Sequence, residues 1–154
     1  MTRGVYSRSK ECESCGVVFV SRGSTARYCS AECRFTGLTA DVAPDSRGCL
    51  LWPHSRNPKS GYGQMTLWDG NKRRLATTHR MSFSIAFGNI PTGLEVCHRC
   101  DVPACFNPKH LFPGTQQDNM RDCVAKGRAG DYPARIRKGW RQRRLAMSSA
   151  DSLK

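Results

Sequence analysis

The hydrophobic and polar positions in the middle of the chain predict a hairpin, a helix and a short strand. GYGQMTLWDGNKRRLATT, residues 61–78, places Asp69-Gly70 between two extended runs, which is typical of a β-hairpin. Apolar residues recur at helical spacing in HRMSFSIAFG, residues 79–88, where we expect Thr78 to cap a helix and Gly88 to end it. TGLEVCH, residues 92–98, predicts a short strand.

The residues that follow predict a turn and then a second helix. LFPGT, residues 111–115, is typical of a turn leading to Thr115. Thr115 and Asp118 resemble a capping box, with Asp where Glu or Gln is more usual, so QQDNMRDCVAK should form a helix that stops at Gly127. The order hairpin, helix, strand, loop, helix defines an α+β fold that is too small to bury itself without help.

Composition divides the chain into three predicted parts. Residues 1–38 form a cysteine-rich N-terminal module, residues 45–128 contain all four histidines, and residues 129–154 form a basic tail. TGLTADVAPDSRG, residues 36–48, resembles a linker. Gly and Pro together make up 22 residues (14 and 8), so we expect a modest core stabilised by metal ions or disulfides.

The charge of the chain indicates a polyanionic partner. A formal net charge of +13 suits nucleic acid. No apolar run approaches the roughly 18 residues of a membrane span, and MTRGVYSRSK lacks the hydrophobic segment of a secretory signal. We therefore expect no membrane partner and a reducing, cytoplasmic location, where the nine cysteines indicate metal binding rather than disulfides.

Two cysteine pairs in the N-terminal module predict a zinc finger. Cys12, Cys15, Cys29 and Cys33 are spaced C-x2-C-x13-C-x3-C. Close pairs of this kind supply two bonds each to a tetrahedral zinc ion. With four protein ligands the site would be structural, in a treble-clef or ribbon-like module.

The second cysteine cluster lies in CHRCDVPACFNPKHLFPGTQQDN, residues 97–119, and allows two ligand sets. The first, close to a zinc knuckle, consists of Cys97, Cys100, Cys105 and His110. The second has Cys49 from GCLLW in place of Cys97 and leaves His98 free. If residues 94–98 are extended, Cys97 and His98 point to opposite faces, so only one of them can face the zinc loop.

A free His98 followed by Asn119 would make a catalytic arrangement. Histidine titrates near neutrality and can take a proton from water. The carbonyl oxygen of Asn119 suits a Mg²⁺ ion that keeps several waters. Such an ion would bridge the scissile phosphate and the leaving 3′-oxygen.

LEVCHRCDVPACFNPKHLFPGTQQDNMRD resembles an HNH nuclease of the ββα-metal (His-Me finger) superfamily. It is most similar to zinc-containing His-Cys box homing endonucleases and to small phage HNH proteins. The resemblance spans about residues 47–128 and includes GCLLW, GYG and the HR that opens the first helix. It departs from the family pattern at Cys97, beside His98, which keeps the first ligand set open.

The resemblance implies a metal-dependent DNA endonuclease that leaves 5′-phosphate and 3′-hydroxyl ends. His98 would be the general base, Asn119 would bind Mg²⁺ or a substituting Mn²⁺, and Asn107 would brace the loop. It implies one structural zinc ion on Cys49, Cys100, Cys105 and His110, in addition to the zinc ion of the N-terminal module. The alternative is a non-enzymatic zinc-finger or zinc-knuckle protein that binds nucleic acid.

Basic residues in two places predict contacts with double-stranded DNA. The hairpin and the first helix offer Lys72, Arg73, Arg74 and Arg80. The tail offers Arg135, Arg137, Lys138, Arg141, Arg143 and Arg144. Such charges bind phosphates and make affinity depend on salt. The chain could also form a homodimer, and it could work with a phage packaging or mobile-element partner in the cytoplasm of a bacterial host.

Overall fold

The computed structural model describes residues 7–21, 25–69 and 72–128. The chain divides into two compact units, Met1–Pro113 and Gly114–Lys154. The strands are β1 (Arg8–Glu11), β2 (Val18–Ser21), β3 (Gln64–Asp69), β4 (Lys72–Thr77), β5 (Glu95–His98) and β6 (Leu111–Gly114). The helices are α1 (Ala31–Thr39), α2 (Thr78–Phe87), α3 (Gln116–Ala125) and a short 3-10 helix, Pro108–His110. This mixture of short helices and two-stranded sheets confirms the predicted α+β class.

The N-terminal module consists of an antiparallel hairpin, β1–β2, followed by α1. Ser30 caps α1 by accepting a hydrogen bond from the backbone of Cys33, so the second cysteine pair lies at the start of a helix as predicted. The linker prediction for residues 36–48 is wrong at its beginning, because α1 continues to Thr39. Phe35 on α1 is buried, and burial of that ring favours helix over linker. The predicted three-part division of the chain stays a prediction.

The predicted hairpin is present as β3–β4, an antiparallel pair with Trp68 opposite Arg73. The strands are joined through residues 70 and 71, which lie outside the described residues. Side chains alternate across the hairpin, so Met65 is buried while Trp68 is 66% exposed. Met65 belongs to a core cluster with Phe35, Trp52 and Phe106. Phe35 stacks on Trp52 with ring centroids 5.9 Å apart. Because Phe35 of α1 and Met65 of β3 lie in the same cluster, α1 and the hairpin share one core.

Helix α2 begins one residue earlier than predicted. The N-cap is Thr77, whose side chain makes no capping bond, and Thr78 is the first helical residue. Thr78 is fully buried, so packing against its neighbours rather than a cap explains its position. The predicted end is correct, because Gly88 has φ 87° and its N–H bonds to the carbonyl of Ser84.

The residues after the second cysteine cluster form a strand where a turn was predicted. Leu111–Gly114 is β6, and it pairs with β5 in a two-stranded sheet. Leu111 is buried in a cluster with Phe83 of α2 and Val96 of β5. The turn prediction was wrong because this pairing and burial outweigh the turn preference of the Pro-Gly pair. The predicted strand at residues 94–98 is confirmed as β5.

Helix α3 opens the second compact unit with the predicted capping box. The Thr115 hydroxyl accepts from the backbone of Asp118, and the Asp118 carboxylate accepts from the backbone N–H of Thr115 at 2.9 Å. Asp at the third position is therefore long enough to close the box. None of the helices in the described part of the chain has the length and apolarity to cross a bilayer.

Candidate metal centres and active site

The four cysteines of the N-terminal module come together as one group. The sulfur atoms of Cys12, Cys15, Cys29 and Cys33 all lie within 4.8 Å of one another. Cys29 Sγ is 3.6 Å from Cys15 Sγ and 3.5 Å from Cys33 Sγ. Tetrahedral zinc with Zn–S bonds near 2.3 Å separates its sulfurs by about 3.8 Å, so the group could hold a zinc ion.

A second group of possible ligands contains Cys49 and not Cys97. Its atoms, from Cys49, Cys100, Cys105 and His110, also lie within 4.8 Å of one another. His110 Nδ1 is 3.5 Å from the sulfur of Cys49 and 3.7 Å from that of Cys105. These separations suit a tetrahedral ion bound through one imidazole nitrogen and three thiolates. The structure therefore assembles the second ligand set and not the knuckle-like one.

Two polar side chains hold the loop that carries Cys49. The Asp45 carboxylate accepts from the backbone N–H of Cys49 at 2.8 Å. The Asn107 side chain donates to the carbonyl of Gly48 at 2.6 Å and accepts from the backbone of Lys109 at 3.0 Å. Asn107 thus connects the Cys49 loop to the 3-10 helix of His110, which is the bracing role that the resemblance implied.

Burial raises the pKa of two thiols in the second group. Burial, reinforced by the charge of Cys100, raises the pKa of Cys105 to about 12. Burial also raises the pKa of Cys49. Because metals bind thiolates, zinc binding here would release protons and would stabilise the fold by the free energy of binding.

His98 lies at the end of β5, and one of its ring nitrogens is fixed. His98 Nε2 is 2.9 Å from the carbonyl oxygen of Cys105. A carbonyl can only accept, so Nε2 carries the proton and Nδ1 of the neutral ring keeps its lone pair. Among the described residues Nδ1 has no hydrogen-bond partner, yet it is not sealed from solvent. Burial lowers the pKa of His98 below its usual value, which favours this neutral ring.

Two aromatic residues that sequence reasoning did not assign to the site pack around His98. The His98 ring centroid is 4.9 Å from that of His79 and 5.8 Å from that of Tyr62. Burial, together with the charges of His98 and Arg80, lowers the pKa of His79 to about 3. At neutral pH, His79 is therefore an uncharged ring that packs beside His98. The motifs GYG and HR contain Tyr62 and His79 and were the signal for them.

Asn119 lies in the first part of α3, within the second compact unit. Its side chain is exposed, and its carboxamide makes no hydrogen bond to the part of the chain that the structure describes. One available amide oxygen is the type of protein ligand that a largely hydrated Mg²⁺ accepts.

The predicted DNA contacts fall into two groups. Lys72, Arg73 and Arg74 lie exposed on β4, and Arg80 lies exposed on α2. All six tail residues, Arg135, Arg137, Lys138, Arg141, Arg143 and Arg144, lie outside the described residues.

Residues 76–121 match the model of a family described as HNH endonuclease. This segment contains α2, β5, β6 and the start of α3, and with them His79, His98 and Asn119. The match confirms the resemblance to HNH endonucleases over that segment.

Two curated relatives come from Escherichia phage T7. The chain is 45% identical to Protein 7.7 over 80 residues, covering 52% of this chain and 58% of that protein. It is 42% identical to Protein 2.8 over 84 residues, covering 54% of this chain and 55% of that protein. The chain thus spans a little over half the length of these relatives. The chain is therefore similar to these phage proteins and matches the HNH endonuclease model over residues 76–121.

Among solved structures, the chain is similar to the HNH homing endonuclease I-HmuI, described for its DNA binding and cleavage. The TM-score is 0.46 at 25% sequence identity, covering 60% of this chain and 52% of that chain.

Proposed function

We propose that this protein is a metal-dependent DNA endonuclease that hydrolyses phosphodiester bonds to 5′-phosphate and 3′-hydroxyl ends. His98 is the general base, and Asn119 is the protein ligand of a Mg²⁺ ion, for which Mn²⁺ can substitute. The two cysteine-containing groups hold structural zinc ions. The division into an N-terminal finger (residues 1–38), a nuclease domain (45–128) and a basic tail (129–154) is part of the proposal.

The observation that carries the proposal is the fixed tautomer of His98. Its Nε2–H donates to the carbonyl of Cys105, which also contributes a thiol to the second group. The loop that orients the imidazole is thus the one that the second zinc ion would hold in place. Nδ1 of His98 is left as a solvent-accessible proton acceptor. Water that loses a proton to Nδ1 can attack phosphorus in line as the bond to the 3′-oxygen breaks.

Tyr62 and His79 support this role by position rather than by chemistry. Their rings lie against His98 and limit its rotation and its hydration. His79 is neutral because its pKa is lowered to about 3, so it adds no positive charge beside the base at neutral pH. A cation there would disfavour the imidazolium that forms on His98 when it accepts the proton.

The metal part of the proposal rests on the donor set. Three thiolates and one imidazole suit zinc and leave no position for a catalytic water. The exposed amide oxygen of Asn119 suits Mg²⁺, which when bound would stabilise charge on the leaving oxygen. Structural and catalytic ions are thus assigned to chemically different donors.

DNA is proposed as the substrate because of charge. The chain carries a net charge of +13, and exposed cations line β4. A homodimer and a phage or mobile-element partner stay predictions.

The test is plasmid cleavage by the wild type and by His98→Ala, with and without Mg²⁺. We expect nicking only with Mg²⁺. Loss of the base should reduce the rate by about 10²- to 10⁴-fold at neutral pH. Raising the pH should restore part of it, because hydroxide needs no base. His54→Ala is the matched control, since His54 is exposed and contacts Trp52 rather than His98.

Asn119→Ala should fail for a different reason. Its activity should recover partly with more Mg²⁺ or with Mn²⁺, which binds such ligands more tightly, and less with raised pH. Gln117→Ala, two residues earlier on α3, is its control. His98→Ala and Asn119→Ala should both keep their zinc ions and bind DNA. Wild-type cleavage by His98→Ala and Asn119→Ala would refute the nuclease assignment, and loss of zinc from His98→Ala would refute the role of His98.

A further inference from the structure

A cleft separates the N-terminal module from the edge of the β3–β4 hairpin. Its volume is about 890 Å³. Residues 25–31, Arg34 and Leu38 line one side, and Thr66, Leu67 and Trp68 of β3 line the other. None of the lining residues has a carboxylate. The cleft does not include Tyr62, His79 or His98, so it is distinct from the proposed catalytic site.

On the α1 side of the cleft, Tyr28 packs tightly against the helix. Tyr28 packs over Gly37, where an added Cβ would lie 2.5 Å from Cε1 of the Tyr28 ring. Glycine within a helix is costly, by about 0.5–1 kcal/mol relative to alanine. Glycine is present at position 37 because any side chain there would collide with the Tyr28 ring. Tyr28 is therefore a fixed aromatic surface of the cleft.

Two guanidinium groups converge on Thr66 at the opposite side. Arg34, which lines the cleft, donates from Nη1 to the Thr66 carbonyl at 2.7 Å. Arg73 is not a lining residue, but it lies opposite Trp68 in the hairpin, and its Nη2 is 3.5 Å from the Thr66 hydroxyl. The bond to the carbonyl uses one of the five N–H donors of Arg34. Among the described residues neither arginine forms an ion pair. Trp68 follows two residues later on β3 and is 66% exposed.

We propose that this cleft binds a single-stranded segment of nucleic acid, with its phosphates on Arg34 and Arg73 and a base stacked on Trp68. The inference rests on the proposed function in taking DNA as the partner. Cations combined with aromatic faces are the general means of binding single strands, because every base offers a π-face. Arginine is suited to phosphates, which it binds through paired N–H donors.

The shape of the site favours one strand over a duplex. A cavity of about 890 Å³ falls in the range of about 300–1,000 Å³ that encloses small ligands, which is too small for a double helix. In a duplex the base faces are stacked on one another, so Trp68 and Tyr28 could not reach them. The cleft would therefore select DNA with a single-stranded flank or gap.

The test compares binding to a blunt duplex and to the same duplex carrying a thymidine tail of about six nucleotides, within the known site sizes of about 4–16. Fluorescence anisotropy is measured on the full chain, without Mg²⁺ and without chelator. We expect the tailed duplex to bind more tightly. Trp68→Ala should reduce that preference by about 5- to 150-fold, the range of base–aromatic stacking, and Trp68→Phe should retain most of it. Phe87→Ala, at another aromatic side chain that is 60% exposed, is the control.

Equal affinity for the two duplexes would overturn the proposal, and so would a tail preference that survives Trp68→Ala. A second measurement uses a tail of 5-iodouracil, which photocrosslinks to aromatic side chains. Peptides containing Trp68 or Tyr28 should carry the crosslink, and crosslinks found only elsewhere would overturn the proposal. Because both readouts measure binding, a tail preference without Mg²⁺-dependent cleavage would refute the proposed nuclease alone. Cleavage without a tail preference would refute this inference alone.

Discussion

The buried ring of His79 should make the folded protein sensitive to mild acid. His79 is 5% exposed, and its Nδ1 has no hydrogen-bond partner among the described residues. Burial, His98 and Arg80 lower its pKa to about 3, whereas an unfolded histidine titrates near 6.5. The unfolded state therefore binds a proton first. The contribution to stability is fully present above about pH 6.5 and is lost as the pH falls towards 3.

The magnitude follows from the two pKa values. With 6.5 unfolded and about 3 folded, the free energy of unfolding should fall by about 1.4 kcal/mol at pH 5.5 and by about 2 kcal/mol at pH 5. The loss approaches about 5 kcal/mol only below pH 3. The ring is almost fully buried, so solvent screening does not reduce these values substantially.

The assay is urea unfolding of the wild type and of His79→Phe between pH 7.5 and 5, with zinc content checked at each pH. Phenylalanine keeps the contacts with Tyr62 and His98 and cannot be protonated. Relative to the wild type, we expect the free energy of unfolding of the variant to rise by about 2 kcal/mol between pH 7.5 and pH 5. Any effect of pH on zinc binding is common to the two proteins and cancels in the difference. Parallel pH curves would refute the assignment of a buried neutral His79.

Three further predictions concern other parts of the chain. Elemental analysis should give two zinc ions for the wild type and for Cys97→Ser but one for Cys49→Ser, and the reverse pattern would restore the knuckle-like ligand set. Deleting residues 133–154 should weaken DNA binding and flatten its salt dependence while cleavage at saturating protein survives; loss of cleavage there would give the tail a role in the active site. Gly37→Ala should lower the free energy of unfolding by about 1–3 kcal/mol in urea titrations, because its Cβ meets the Tyr28 ring, and a stabilised variant would contradict that packing.

Local spacing in the sequence was sufficient for the features that depend on neighbouring residues. The hairpin, β5, the capping box of Thr115 and the glycine end of α2 were predicted from short patterns, because each depends on bonds within a few residues. The N-terminal ligand group was also predicted from its paired cysteines. Close pairs determine much of a tetrahedral site before the chain folds.

Tertiary structure decided what long-range packing controls. The choice between Cys49 and Cys97 depended on bringing Gly48 against Asn107, 59 positions along the chain. The strand at Leu111, the length of α1 and the burial of Thr78 follow from core contacts that local preferences do not contain. The tautomer of His98 could not be predicted from the sequence either. It depends on the carbonyl of Cys105, seven residues away, whose direction is set by the folded loop. The sequence was sufficient to predict His98 as the base, but only the fold determined which of its ring nitrogens can accept a proton.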